Sequence, residues 1–410
     1  MTSLADHPTT TTSKSRPITV IVAILAFVSL GLPDGALGVA WPSIRGTFGL
    51  PLSQLGTLLT ASMCGYLFAS FISGRLVGGI GVGHLLTLST GLMAASGAGY
   101  ALSPAWWTML ACGVGAGLGS GAIDAGLNAY AAHHFSPRVT NWMHATFGLG
   151  ATTGPLLMTA LITRGESWRW GYGIIAVLMT ALATTFLVTH RAWEDGDDAG
   201  TGPSDETPDA PTPFGQLLRR PRVLAGIALF FLYTGLEFAT AQWAYSYLTQ
   251  ARGVRAAIAG TAVGLFWGSL TVGRIVLGGL TTWVPPQRVL RVAFCVAPLA
   301  AVCIAVPGHY VINILGLALM GFTLAPIFPL MISVTPHRVG KHDASQAVGF
   351  QIAAAALGGA ALPALAGILA RRYGLDIIGP YLLAAACALL VLHECVARLA
   401  RAVTSPTPPG

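Results

Sequence analysis

Three acidic residues lie inside long apolar stretches of the sequence: Asp34, Asp124 and Glu237. A carboxyl group without a positive partner in such surroundings tends to take up a proton, and ionisable groups within a membrane are functional by default. No lysine lies in the middle of these stretches, and we expect no arginine to be buried near the acids. Each acid is therefore a candidate proton carrier. The alternative is a neutral acid that hydrogen-bonds a neighbouring helix.

Asp124 belongs to the segment GSGAIDAGLNAY, residues 119–130. A spacing of four places Asp124 and Asn128 on one face of a helix, together with Gly117 and Gly121. Small residues allow another helix to approach closely. The Lys-Ser/Thr pair that completes a phosphate-binding loop is absent after these glycines. We interpret the glycines as helix packing and the polar pair as a candidate site.

The following apolar stretch begins RVTNWMHATFGLGATTGP, residues 138–155. Asn141 and His144 are three residues apart and share a helix face. The histidine could orient a polar solute or relay a proton near neutral pH, or simply donate to a backbone carbonyl. The Gly-Pro segment that follows resembles one seen in drug–proton antiporters, which keeps that class of transporter open.

Polar or amphipathic side chains also occur within apolar stretches of the second half of the chain. The glutamines could hydrogen-bond the hydroxyl groups of a solute, and a tryptophan ring can stack on a sugar. Helix–helix hydrogen bonding and core filling are open alternatives for each of them. These candidate solute contacts are Gln242, Trp243, Trp267, Gln346 and Gln351.

The elements that carry these residues are predicted to be membrane helices. Hydrophobic residues make up 54% of the chain and charged residues 9%, against about 25% charged residues in soluble domains. Twelve apolar stretches come near the ~20 residues that span a bilayer: 18–40, 53–74, 84–102, 105–131, 139–163, 168–190, 221–248, 257–281, 288–306, 309–333, 343–371 and 376–397. The predicted fold class is an all-α membrane protein with twelve transmembrane helices.

Basic residues are distributed unequally between the two predicted membrane faces. Fifteen of the 22 lysines and arginines fall on the side of the termini, with Arg75 and Arg274 among them, and seven fall on the other side. Positive residues concentrate on the cytoplasmic side, so we predict a cell (inner) membrane protein with both termini in the cytoplasm. The net charge of +7 is thus explained by the orientation of the chain in the membrane, and no nucleic-acid partner is predicted.

Tryptophans at the ends of the predicted spans are interpreted as interfacial anchors. They are Trp41, Trp106, Trp107, Trp168, Trp170 and Trp283.

The chain divides into two predicted bundles of six helices, residues 18–190 and 221–397. Residues 191–220 between them hold seven of the fifteen acidic residues and several prolines. Such a segment buries too little apolar surface to fold and is predicted to be a flexible cytoplasmic linker. The predicted tails are residues 1–17, expected to be disordered, and 398–410.

The two halves also repeat three short patterns in the same order. Two parallel six-span repeats describe the major facilitator architecture, with pseudo-two-fold symmetry and a site near the midplane between the halves. The matching segments are GLPDGALGVAW (31–41) and GLEFATAQW (235–243), GRLVGG (74–79) and GRIVLGG (273–279), and GLGATTGP (148–155) and LGGAALP (357–363).

Within that superfamily, the fourth predicted span resembles the fucose–proton symporter group. Asp124-x-x-x-Asn128-Ala129-Tyr130 resembles the group's Glu-x-x-x-Asn-Pro-Tyr. The differences are Asp for Glu and Ala for Pro. Because the shorter acid reaches less far, fucose itself is not the expected solute.

Two further positions carry the same resemblance. Asn141-Trp-Met-His144 resembles the group's Asn-x-x-Gln at the start of the fifth span, and Asp34 lies where the group has an acid on the first span. The resemblance implies that Asp34 and Asp124 are protonation sites and that His144 contacts the solute. Histidine replaces the group's glutamine and can itself titrate.

Together, these features predict a secondary transporter that carries a small polar solute, most plausibly a sugar or polyol, by proton-coupled symport. No ATP-binding motif is present, so a proton gradient is expected to supply the energy without a cofactor, and one chain holds enough spans to act as a monomer in the lipid bilayer. The alternatives are a proton-driven exporter of apolar or cationic compounds and a membrane sensor that binds without transporting. An enzyme is not expected, because no Ser/His/Asp set or metal-spaced cluster occurs.

Overall fold

The described part of the chain, residues 17–193, 213–340 and 342–404 of the computed structural model, is helical and contains no strand. The α-helices are α1 (Pro17–Phe48), α2 (Gln54–Leu102), α3 (Trp106–His134), α4 (Pro137–Thr163), α5 (Trp168–Thr189), α6 (Phe214–Leu217), α7 (Pro221–Ser246), α8 (Ala256–Leu280), α9 (Pro286–Ala305), α10 (Tyr310–Leu324), α11 (Ile327–Val339), α12 (Ala344–Tyr373) and α13 (Ile378–Thr404). Short 3₁₀ or π turns follow α5, α7 and α12: His190–Trp193, Tyr247–Ala251 and Leu375–Ile377.

Eleven helical segments among the described residues are long and apolar enough to cross a membrane. One of them, α2, contains both the second and the third predicted span, so the expected twelve crossings and the all-helical class are confirmed. The tenth crossing consists of α10 and α11 and is interrupted at Ala325–Pro326. Proline lacks an amide hydrogen and clashes with the preceding turn, which explains the interruption.

The reversal between the two limbs of α2 takes place at Gly81, whose φ of 76° suits glycine. Residues 75–83 were expected to form a loop, but the flanking residues remain helical. Helix α3 packs against both limbs: Gly117 meets Ser62 on the first limb, and Gly119 meets Ser89 on the second. As the residue number rises along α3, the number of the contacted residue rises on the first limb and falls on the second. The two limbs therefore run in opposite directions.

Helices of the two halves touch where glycines leave room. A Cβ on Gly38 of α1 would lie 2.9 Å from the carbonyl oxygen of Ala241 on α7. A Cβ on Gly56 of α2 would lie 2.5 Å from the Cβ of Ala364 on α12. We call the face of the bundle where α1 begins and α13 ends the terminal face. Both contacts lie far from it, toward the opposite face. The two halves are therefore joined on the far side.

Helices α4 and α8 form the longest contact between the halves. A side chain at Gly260 would overlap Thr159 near the far face, and one at Gly148 would overlap Thr271 near mid-depth. Closer to the terminal face, the side chain of His144 on α4 is exposed. The cleft between the halves therefore opens toward the terminal face.

The predicted linker is only partly covered by the structure, since residues 194–212 lie outside the described ranges. At its two ends, the expectation of a flexible segment over 191–220 is corrected. Trp193 is 3% exposed and packs against Phe186, and Leu217 on α6 is fully buried. These apolar side chains hold both ends of the segment onto the helix bundles.

The predicted tails also differ from the structure. Helix α13 continues to Thr404 rather than ending at residue 397. Residues 1–16 and 405–410 lie outside the described ranges.

The tryptophans predicted to be interfacial anchors fall into two groups. Trp107, Trp170 and Trp283 are exposed, as an anchor requires. Trp41 and Trp106 are buried with their rings 6.1 Å apart, so the prediction is corrected for them. It is also corrected for Trp168, which is buried and donates to a threonine of α1. In each of these three cases packing between helices covers the ring.

Candidate functional site

The carboxylate of Asp124 on α3 accepts two hydrogen bonds from neighbouring side chains. The Tyr66 hydroxyl on α2 donates to Oδ2 at 2.7 Å, and Nδ2 of Asn128 donates to Oδ1 at 3.0 Å. The Asn128 bond follows from the spacing of four residues on α3. Asp124 and Asn128 are only partly buried, so a proton can reach them.

Glycines of α3 explain how Tyr66 reaches Asp124. A side chain at Gly117 would overlap the carbonyl oxygen of Ser62, and one at Gly121 would overlap that of Tyr66. The first limb of α2 can therefore lie directly on α3, one turn from the acid. These glycines are packing residues, as the sequence predicted, and the packing places the tyrosine donor.

Asp34 on α1 is partly buried, and its side chain makes no hydrogen bond among the described residues. Its backbone carbonyl accepts from Nε2 of Gln242 at 3.1 Å, a bond that links α1 to α7 across the two halves. The carboxyl group lies within electrostatic reach of Tyr66. Asp34 and Asp124 therefore belong to one region of the first half.

Glu237 on α7 is 5% exposed and accepts a hydrogen bond from the hydroxyl of Tyr233, one turn earlier. Arg274 on α8 lies within electrostatic reach of both residues. The sequence analysis assigned Arg274 to the cytoplasmic end of its span and expected no arginine near the acids. The structure corrects the second point, because the partly buried arginine side chain lies within electrostatic reach of Glu237.

Trp267 and Thr271 share a face of α8 with Arg274, and their contacts show which helices this face meets. The Trp267 ring lies 6.4 Å from that of Phe147 on α4 and 6.1 Å from that of Phe238 on α7. Thr271 contacts α4. Arg274 lies on the same face of α8 as Trp267 and Thr271, so its side chain points between α4 and α7. It lies closer to the terminal face than these aromatic rings.

His144 lies on α4, on the side of the cleft opposite Arg274. Its side chain is exposed, and its ring packs edge-on against Phe27 at 4.8 Å. It lies within electrostatic reach of both Asp124 of the first half and Arg274 of the second. Asn141, one turn closer to the terminal face, is exposed as well.

The remaining candidate solute contacts are mostly engaged in packing. Trp243 is fully buried and donates to the carbonyl of Pro363 at 2.9 Å, and Trp267 and Gln242 are buried as well. Gln351 is buried and accepts from a threonine of α11 at 3.0 Å. Gln346 is partly buried with an unpaired Oε1. In this conformation the first four hold helices together, and their role toward a solute stays a prediction.

Replacing Tyr66 with phenylalanine tests the contact to Asp124. We expect the pH profile of uptake to change, because the Asp124 carboxylate loses a hydrogen-bond donor worth ~1.5–3 kcal/mol. Tyr310→Phe is the matched control, since Tyr310 is exposed at the start of α10. An unchanged pH profile in Tyr66→Phe would contradict a role for this hydrogen bond.

Known proteins resemble this chain over most of its length. The sequence model of the Major Facilitator Superfamily matches residues 20–363 of this chain. The chain is 25% identical over 391 residues to Bypass of stop codon protein 6 of Saccharomyces cerevisiae, covering 88% of this chain and 78% of that protein. It is 20% identical to the glucose/mannose transporter GlcP of Bacillus subtilis, covering 83% and 85%.

A hexuronate transporter of Bacillus subtilis is 26% identical over 253 residues, covering 59% of this chain and 58% of that protein. Among solved structures, the nucleoside transporter NupG is similar with a TM-score of 0.75 at 11% identity, covering 92% of this chain and 99% of that one. At that identity the likeness concerns the fold.

Proposed function

Because this chain belongs to the Major Facilitator Superfamily and is a multi-pass membrane transporter rather than an enzyme, we propose that it moves a small polar solute by proton-coupled symport. A sugar or polyol is the favoured solute. The observation that supports the proposal is the partly buried carboxylate of Asp124, held by two donors, which we assign to the wall of the cleft between the halves. Such a group can gain and lose a proton as the cleft opens to one side and then the other.

The transport cycle follows from this placement. In the outward-facing form Asp124, Asp34 or both carry a proton, and the solute binds against Asn128, Asn141 and His144. The halves then rock, and the cleft opens to the terminal face, which the basic residues indicate is cytoplasmic. The solute leaves, and the proton follows when water at higher pH reaches the carboxylate. A cleft open to the terminal face supports assigning the structure to this inward-open stage.

The chemistry of the cleft favours a solute rich in hydroxyl groups. Amides and an imidazole both donate and accept hydrogen bonds, and Asn128 is partly buried while Asn141 and His144 are exposed. Relatives named for glucose/mannose and hexuronate transport support the same class. The proton gradient supplies the energy, no cofactor is required, and one chain forms the whole pathway.

Purified protein in liposomes tests this proposal. With an imposed proton gradient, labelled sugars or polyols should accumulate, and a protonophore should abolish the accumulation. An exporter of apolar or cationic compounds would instead protect expressing cells from toxic amphiphiles without accumulating sugars. A sensor would bind a sugar in a thermal-shift assay and move none. Either of these results would contradict symport.

Substitution of His144 by glutamine keeps a polar side chain but removes the imidazole, a group that can bind a proton. We expect the ratio of uptake at pH 5 to uptake at pH 8 to change by about threefold or more. His309→Gln, at an exposed position before α10, serves as the control. An identical ratio in His144→Gln and wild type would assign His144 a packing role.

A further inference from the structure

Arg274 is a positive charge in the cleft without a carboxylate partner. Among the described residues, no carboxylate oxygen lies within 4.0 Å of its nitrogens, and the group that comes within hydrogen-bonding reach is the Tyr233 hydroxyl, which already donates to Glu237. Its Nε atom is buried and unpaired. A guanidinium has five N–H donors in a planar fork, and leaving them unpaired in a partly buried place is costly. This arrangement calls for an oxygen-rich partner.

The groups that face Arg274 do not supply that partner in this conformation. On α7, the Tyr233 hydroxyl reaches the arginine but is neutral and already donates to Glu237, which acts on the arginine only at longer range. On α4, His144 lies within electrostatic reach, and the preceding Gly273 contacts Phe322 of α10 and Ala325 just after that helix. If Arg274 served only to neutralise Glu237, a direct ion pair would be expected.

We propose that Arg274 binds the carboxylate of the transported solute, and therefore that the solute is a sugar acid. The inference rests on the proposed function and narrows its substrate class. A carboxylate matches the guanidinium fork with two parallel hydrogen bonds, whereas a hydroxyl group would leave the charge uncompensated. The hydroxyl groups of the same solute would then meet Asn128 and His144 on the opposite wall.

Proton loading and anion binding support each other in this arrangement. An ionised Asp124 on the opposite wall repels an incoming carboxylate, and its protonation removes that repulsion. In return, a carboxylate bound near Arg274 favours a protonated Asp124, because the coupling between two sites is reciprocal. A sugar acid therefore enters together with a proton.

The repeat in the sequence provides a matched control for Arg274. Arg75 occupies the same place in GRLVGG as Arg274 occupies in GRIVLGG. Its side chain is exposed. Arg75→Gln removes the same charge from the equivalent helix and should leave solute preference unchanged.

The experiment measures binding and uptake of two matched sets of probes in detergent and in liposomes. The acids are D-glucuronate, D-galacturonate and D-gluconate, and the neutral compounds are D-glucose, D-galactose and D-glucitol. We expect wild-type protein to favour at least one acid over its neutral counterpart by about tenfold or more. In Arg274→Gln, affinity for that acid should fall by about 10- to 100-fold, while affinity for the neutral compound changes by less than about threefold. Arg274→Lys should be intermediate, because it keeps the charge but loses the fork.

The outcomes separate this inference from the proposed function. Accumulation of neutral sugars without any preference for acids would overturn the sugar-acid inference and leave proton-coupled symport standing. An equal loss of both probe sets in Arg274→Gln, with folded protein by gel filtration, would assign Arg274 a structural role. The preference of the wild type is measured without any variant, so an unstable Arg274→Gln does not remove the test. Uptake of neither set would overturn both proposals.

Discussion

Asp124→Asn is expected to abolish proton-driven accumulation of solute while leaving exchange of preloaded solute intact. The asparagine amide has nearly the size of the carboxyl group and can still accept from Tyr66, but it binds no proton. It therefore resembles the permanently protonated state, in which solute binds and the halves rock. Accumulation against a gradient should fall to the level of liposomes without protein, and counterflow should remain within about threefold of wild type.

Two assays on the same liposomes distinguish these effects. One records labelled solute under an imposed proton gradient, and the other records exchange against preloaded solute at equal pH. Asp376→Asn is the control, because Asp376 is an exposed acid that pairs with Arg252 near the start of α13. An exposed pair contributes little to stability. Accumulation at the wild-type level in Asp124→Asn would remove Asp124 from the coupling mechanism.

Gly117→Leu is expected to prevent the first half from folding around the site. A side chain there would overlap the backbone oxygen of Ser62, and a backbone atom cannot move aside as a side chain can. The cost should exceed the ~1–3 kcal/mol typical of overpacking. Displacement of the first limb of α2 would also carry Tyr66 away from Asp124. We expect loss of the monodisperse peak in gel filtration and loss of uptake.

Gly173→Leu is the matched control for this substitution. Gly173 lies in α5 with no atom within 4 Å of the position of a Cβ. This variant should retain a wild-type elution profile and melting temperature within about 3 °C, since surface changes usually alter stability by less than ~0.5 kcal/mol. If the two leucine variants behaved alike, close packing of α2 on α3 would not be what holds the site together.

Local spacing made part of the site predictable. The contact of Asp124 with Asn128 follows from four residues on a helix, and the packing role of Gly117 and Gly121 follows from their size. Glu237 and Tyr233 are also four residues apart, so the same rule would have found the tyrosine donor. Each of these relations lies within one helix or within one row of residues along it.

Relations between helices were not predictable in the same way. Tyr66 is 58 residues from Asp124, and nothing in its surroundings shows which face of α2 meets α3. The buried state of Trp243 and Trp267 depends likewise on which helices pack against α7 and α8. A predicted span contains such residues, but its sequence does not say whether they face a cleft, a neighbouring helix or lipid.

The proximity of Arg274 to Glu237 was missed for a different reason. Counting basic residues assigns each arginine to the nearest membrane face, because that position is the least costly. The predicted span 257–281 extended beyond Arg274, as α8 does, but it did not show which helix the arginine faces. That depends on how α7, with Tyr233 and Glu237, packs against α8, which composition does not reveal.

The external pH of weakly buffered proteoliposomes, recorded as solute is added, tests proton-coupled symport most directly. Protons that enter with the solute should raise the external pH, and a protonophore should collapse the change. Asp124→Asn should admit solute by exchange without any such signal. Movement of solute with a fall in external pH, or with no change at all, would contradict the account.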